Sequence, residues 1–283
     1  MLHEGSRVLM VGASSDIGAH LASQMLARGI QVCGTYRGPS DSVAELIRAG
    51  AKLDRVDLAD HVSVNRWVAK SDLDGWDGLL LNPATMNPIG LFHECDWEEW
   101  HASVQVNALS QLHLVHSLLP RRSTTGHPLV LLWGGPATNS AAPGYSAIAA
   151  SKLLLIKMME LLSAEYPEVR FVSVGPGWVD TKIHIETLEA DSRAGGNLER
   201  TKARLASGQV TSLDKVWRFI EWVFAQPAEL VSGRNFSVNG DLWGTEDLQG
   251  LLASDPDALK MRRYRNDWRP SERSTRFIPP TYD

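Results

Sequence analysis

From residue 7 onward the chain alternates between two patterns: short runs of consecutive apolar residues, and longer stretches whose apolar positions recur every three or four residues. The short runs predict strands at 7–11, 31–35, 51–56, 78–81, 129–133 and 170–174. The periodic stretches predict helices at 17–28, closed by Gly29, and at 42–49, 62–70, 97–119, stopped by Pro120, and 146–166. Strands that are apolar throughout, instead of alternating, belong to a parallel sheet covered on both faces. Helices placed between them make repeated βαβ units, which predicts an α/β fold with a doubly wound sheet. No repeat or low-complexity linker divides residues 1–283, so they read as a single domain. The polar stretch 182–209, with Gly195-Gly196 inside it, is expected to be a substrate lid. Residues 244–283 form a C-terminal extension whose charged, Pro-containing end, from Lys260, is expected to pack on the surface.

Composition narrows the function classes. The 283 residues suffice for a sizeable core, and 43% hydrophobic with 22% charged residues is ordinary for a soluble globular protein. A formal net charge of −5 supplies no broad basic field, which argues against nucleic acid as a partner. Cys33 and Cys95 show neither disulfide nor metal-ligand spacing, which fits a reducing compartment and no metal. The first seven residues include His, Glu and Arg, and no window approaches the roughly 20 apolar residues a membrane span needs. The expected setting is the cytoplasm, without a membrane partner.

The first strand runs into Gly12-Ala13-Ser14-Ser15-Asp16-Ile17-Gly18. Gly12 lets the chain turn sharply out of the strand, and Gly18 lets a helix start close to the sheet. Free N–H groups at the positive end of that helix then receive a pyrophosphate. A lone pair of glycines is a weak signal, but its place between first strand and first helix makes it strong. The turn resembles that of the short-chain dehydrogenase/reductase family, with Asp16 in place of the middle glycine. The resemblance continues in order through Asp57-Leu58, Leu81-Asn82-Pro83-Ala84, Asn107, Pro176-Gly177-Trp178-Val179-Asp180-Thr181, Ser232-Gly233 and Asn239-Gly240-Asp241, covering roughly residues 5 to 241. It implies a Rossmann fold and a nicotinamide cofactor held by Gly12, Ser14, Ser15, Ile17, Gly18, Asp57, Leu58, Asn82, Lys152, Pro176, Gly177, Val179 and Thr181. At the end of the second strand Thr35-Tyr36-Arg37 carries no acid for a ribose hydroxyl. Arg37 can instead fork onto a 2′-phosphate, which points to NADP(H); the alternative is a solvated surface arginine.

The same resemblance implies hydride transfer between a nicotinamide and a carbonyl or alcohol, assisted by a Ser and by a Tyr four residues before a Lys. Here Gly144-Tyr145-Ser146-Ala147-Ile148-Ala149-Ala150-Ser151-Lys152 keeps the Lys, puts Ile148 at the tyrosine position and, counting back, Gly135 at the serine position. Ile148 and Gly135 offer no proton, while Lys152 and Asn107 remain as the candidate catalytic pair, ordering ribose and water. Three readings stay open. Tyr145, one turn early, is the acid; or the protein binds NADP(H) without chemistry, as a sensor or pseudoenzyme; or a ketone is reduced with a proton from water or substrate. Positioning alone supplies several kcal/mol, a phenol beside the ketone stabilises the alkoxide, and general acid catalysis contributes typically 10²–10⁴-fold, so its loss is survivable.

Trp133, Trp178 and Tyr145 fall in segments bordering the nicotinamide, where with Gly135 and Ile148 they would meet a flat aromatic ketone; each Trp has an equal claim as core packing. The combination resembles ketoreductases that tailor aromatic polyketide antibiotics, angucyclinones among them. The resemblance also allows a homo-oligomer through the helices containing Asn107 and Lys152, although the extension beyond Gly240 argues against the common tetramer.

Overall fold

Seven parallel strands form one sheet in the order β3-β2-β1-β4-β5-β6-β7. They are β1 (Arg7–Val11), β2 (Gln31–Tyr36), β3 (Lys52–Arg55), β4 (Gly78–Leu81), β5 (Leu129–Trp133), β6 (Arg170–Gly175) and β7 (Arg234–Ser237). The computed structural model describes residues 2–135 and 138–263. The order reverses beside β1, which neighbours both β2 and β4; in such sheets ligands bind beyond the strand ends at that switch point.

The apolar runs are explained by burial on both faces. Val8, Met10, Leu80, Leu129, Leu131, Val172 and Val174 enter one core cluster. Their odd-even partners Leu9, Val11, Leu79, Leu81, Val130, Leu132 and Phe171 enter the other. The first cluster is closed by α1 (Asp16–Leu26) and α2 (Asp41–Arg48), together with an unforeseen α9 (Leu213–Ala225). The second is closed by α3 (His61–Val68), α5 (Ser110–Leu118) and α6 (Ser146–Glu165). Before α5, α4 (Trp97–Val104) runs into a π-helical turn, Gln105–Leu109, so the expected helix at 97–119 is continuous but carries a wide turn around Asn107.

Two departures from the expected elements matter. The stretch 182–209 is helical, with α7 (Ile183–Ala190), a 3₁₀ turn and α8 (Gly196–Ser207). The extension is built into the fold as far as it is described. After α10 (Ala228–Val231) and β7 comes α11 (Glu246–Ser254), whose Leu248 and Leu252 pack on the first cluster. Arg234 in β7 is buried and donates to the carbonyls of Leu252, Asp255 and Ala258, while Asn235 N–H donates to Leu259 O at 2.8 Å. A guanidinium taken out of water needs several acceptors, and these carbonyls supply them. Arg170 in β6 does the same for the end of α9, donating to Val223, Phe224 and Gln226 carbonyls. Burial lowers its pKa to about 10, which leaves it charged at neutral pH. The rest of the extension, 264–283, lies outside the described residues. No described helix is long and apolar enough to cross a membrane.

Candidate active site

At the switch point the chain leaves β1 through Gly12, whose φ of +73° is a left-handed conformation that L side chains adopt rarely. Ala13 N–H donates to Thr35 O at 2.8 Å, and Gly12 N–H to Thr35 Oγ1 at 3.2 Å, which fixes the turn against β2. Ser15 caps α1 by accepting from Gly18 N–H at 3.0 Å. A Cβ on Gly18 would stand 2.6 Å from Gly12 O and 2.7 Å from Ser15 Oγ, so only glycine fits there. Among the described residues the Asp16 and Ile17 N–H groups have no hydrogen-bond partner, which leaves a cradle that could receive an anion, with Ser14 on its rim. Asn82, at the end of β4, donates to Val11 O at 2.9 Å and accepts from Trp133 Nε1 at 2.8 Å. Its side chain thus ties the ends of β1, β4 and β5 together, and Trp133 is core packing on the first cluster with its N–H satisfied.

Arg37 is exposed at the end of β2, and Arg55 Nε donates to its carbonyl at 3.2 Å, so a second guanidinium lies at this edge. Asp57 is exposed and accepts from Ala59 N–H at 3.0 Å; Leu58 is buried, and its carbonyl accepts from Ser110 Oγ at 2.6 Å. Pro176, Gly177, Val179 and Thr181 follow β6 toward the same crevice. Trp178 stacks on His184, with ring centroids 3.9 Å apart and planes 10° apart. Burial holds the His184 imidazole below its usual pKa.

Lys152 is buried inside α6, and its Nζ has no hydrogen-bond partner among the described residues. Desolvation lowers its pKa to about 8. Its stem packs on Gly135, where a Cβ would meet Lys152 Cγ at 2.8 Å. The lysine stem therefore occupies the room that a side chain at residue 135 would take. Ile148 lies one turn earlier on α6, buried with Ile89, Tyr145, Ala190, Ala194 and Leu198 in a small apolar cluster roofed by α7 and α8. The Tyr145 hydroxyl pairs with Thr187 Oγ1 of α7 at 3.0 Å, and burial pushes its pKa up. That phenol is committed to α7, which disfavours it as the acid. Asn107 accepts from Thr85 N–H at 2.9 Å and donates to Thr85 O at 2.8 Å and Ser103 Oγ at 3.1 Å, while its carbonyl accepts from Gln111 Nε2. Both of its amide N–H groups and one acceptor site of its Oδ1 are engaged, and it holds the loop after β4.

Three residues here escaped the sequence. Glu186 of α7 accepts from Thr85 Oγ1 (2.9 Å), Met86 N–H (2.6 Å) and Asn87 N–H (3.1 Å), clasping α7 to the loop after β4. Arg55 and Lys182 are the others, and a single charged residue in a polar stretch carries no signal of such a role. Outside the clasp, a groove of about 470 Å³ is lined by Thr85, Asn87, Glu99 and Arg193, among others. No described group of three or more His, Cys, Asp or Glu side chains could hold a metal.

A glycine turn at the switch point and an open helix start belong to a doubly wound parallel sheet of the Rossmann type. The chain belongs to the short-chain dehydrogenase/reductase family: residues 12–241 match the family model described as enoyl-(acyl carrier protein) reductase. Among curated relatives, 3-oxoacyl-[acyl-carrier-protein] reductase FabG of Escherichia coli K12 is 23% identical over 248 residues, covering 86% of this chain and 99% of FabG. Among solved structures, a single-substitution variant of actinorhodin polyketide ketoreductase with NADPH superposes with a TM-score of 0.71 at 21% identity, over 85% of this chain and 98% of that one. A short-chain dehydrogenase from Burkholderia cenocepacia J2315 in complex with NADP gives 0.69 at 24% identity, over 84% and 97%. The structural likenesses are likenesses of fold.

Proposed function

We propose that the protein is a cytoplasmic, NADPH-dependent ketoreductase of a polycyclic aromatic, angucyclinone-like polyketide in antibiotic biosynthesis, working without the usual Ser and Tyr. The observation that carries this is the buried Lys152 amine, lacking a partner and set beside Gly135 and Ile148, two positions with no proton to give. Buried polar atoms are paired in folded proteins, so the orphaned amine of Lys152 fits ribose hydroxyls. The α1 cradle fits a pyrophosphate, Asp57 the adenine amine, and Arg37 with Arg55 a 2′-phosphate. The actinorhodin polyketide ketoreductase, whose structure carries NADPH, supports the same assignment.

When bound, NADPH supplies a hydride to the carbonyl carbon, leaving an alkoxide that needs one proton. Ile148 and Gly135 cannot deliver it, and Tyr145 is engaged by Thr187. A phenol beside the substrate ketone hydrogen-bonds the developing alkoxide and water completes the transfer, with Trp178 as an aromatic surface at the lid root. A homo-oligomer would form through α4–α6, whose Leu109, Leu154 and Leu161 are exposed.

One observation favours a second reading. The lid residues Ala190, Ala194 and Leu198 fill the space above Ile148, as in a sensor that binds NADP(H) and closes. NADPH consumption with phenolic polycyclic ketones, and with analogues lacking the neighbouring hydroxyl, decides between them. Oxidation at least about tenfold faster with the hydroxyl supports the ketoreductase. No oxidation across the panel, despite tight NADPH binding, overturns it in favour of the sensor.

A further inference from the structure

We propose that Lys182, at the root of the lid, is a ligand of the cofactor pyrophosphate, held in place by Asp16; this rests on the NADP(H) reading above. Lys182 Nζ donates to Ser14 O at 2.6 Å, on the rim of the anion cradle, and stands 3.8 Å from Asp16 Oδ1. Lys182 N–H donates to Asp16 Oδ2 at 2.8 Å, so one carboxylate grips both the backbone and the charge of the same residue. An ammonium has three donors, and Ser14 O and Asp16 leave one directed to neither. Asp16 itself sits where the matching family turn carries glycine. A carboxylate in the first turn of α1 stabilises the free helix but repels an incoming diphosphate. Lys182 cancels that charge at the one place where the cancellation matters. Asp180 and His184 face the same shallow groove, and neither pairs with Lys182.

The pair also has a mechanical meaning. Ile183, the next residue, begins α7, so an ammonium drawn onto the pyrophosphate fixes the start of the lid helix. Glu186, one turn further on, clasps the loop after β4. Cofactor binding and lid position are thereby joined through a single residue that touches both.

The test compares two ligands on the whole protein: NADP⁺, and adenosine 2′-phosphate, which shares the adenine and 2′-phosphate ends but has no pyrophosphate. Titration calorimetry of Lys182→Ala is expected to show NADP⁺ binding weakened about tenfold or more, the loss of a charge-assisted contact, with adenosine 2′-phosphate within about twofold of the parent. Lys182→Arg keeps the charge and retains NADP⁺ affinity within about threefold. Replacing the repelling carboxylate as well, in Asp16→Gly/Lys182→Ala, recovers most of the loss, which an unfolded or merely loosened variant would not do. Unchanged NADP⁺ affinity in Lys182→Ala, or equal loss for both ligands, overturns the assignment. Wild-type protein that binds no NADP⁺ overturns the cofactor reading itself, and the role of Lys182 with it.

Discussion

The start of α1 and the chamber under α7 and α8 lie at the same end of the sheet, yet they treat polarity in opposite ways. At α1 polar groups fix the turn, engage Lys182 or stay open: Ser15 caps Gly18, Thr35 holds Gly12 and Ala13, Ser14 O and the Asp16 carboxylate meet Lys182, and the Asp16 and Ile17 N–H groups have no partner among the described residues. Under α7 and α8, the positions that the sequence comparison aligns with hydroxyl-bearing residues are Gly135, filled by a lysine stem, and Ile148, sealed among apolar neighbours. The first region leaves donors that a charged ligand could complete. The second is filled by the protein itself. Under the proposed function, this difference separates holding the cofactor from moving the proton.

The sharpest way to break the first half is Gly18→Ala. Its Cβ would meet backbone at 2.6 Å, so the turn must shift, and NADP⁺ affinity by calorimetry is expected to fall more than about 100-fold. Retained affinity would mean that the turn is not the cradle. Lys152→Met probes the border between the regions and cuts both ways. Burial lowers the folded-state pKa of this amine to about 8 from 10.5, so the charged form is disfavoured in the fold. Below pH 8 the ligand-free protein carries that cost, on the order of 3 kcal/mol, and regains stability as the pH rises from about 8 toward 10.5. Lys152→Met is therefore expected to raise the melting temperature at pH 7 and flatten its rise above pH 8, while weakening NADPH binding. A lower melting temperature at pH 7 would show that the lysine already has a partner.

Ile148→Tyr addresses the second half. Ile148 is only 4% exposed, so a larger ring overpacks its cluster at a cost of about 1–3 kcal/mol. A melting temperature lower by several degrees and no gain in reduction rate are expected. A rate gain of about 10² or more would mean that the site merely lacks its acid. The smallest effect is expected from Glu186→Gln, which turns charge-assisted contacts into neutral ones. KM should rise about threefold with kcat nearly unchanged, and protease cleavage within α7–α8 should quicken. An unaltered cleavage rate would remove the clasp from the account.

The sheet was legible in the sequence because strands buried on both faces cannot hide: Leu79, Leu80 and Leu81 face alternate cores and all are apolar. The edge strand β7 was not, because Arg-Asn-Phe-Ser looks polar until Arg234 finds three helix-end carbonyls. The stretch 182–209 was legible as an excursion but not as two helices, since its polar residues mask the apolar stripe under which Ile148 lies. In the site, the glycine turn and the spacing back from Lys152 could be read locally. Glu186, Lys182 and Arg55 could not, for each acquires its role from a partner between 18 and 168 residues away. Trp133 was left between two roles, and its hydrogen bond to Asn82 accounts for the core one.

Asn235 donates outward from β7 to Leu259 rather than to another strand. An unpaired outer strand is a template onto which a second molecule can zip. The descent from α11 to Leu259 therefore acts as a guard rail, occupying the last rung of the sheet, and Arg234 is the bolt that fastens it. Cutting the chain after Gly244 would strip the rail, remove the carbonyl acceptors at Leu252, Asp255 and Ala258, and leave the outer edge of β7 open. The expected product is a protein that sediments as large aggregates, a fate governed by colloidal behaviour and independent of the chemistry at Lys152.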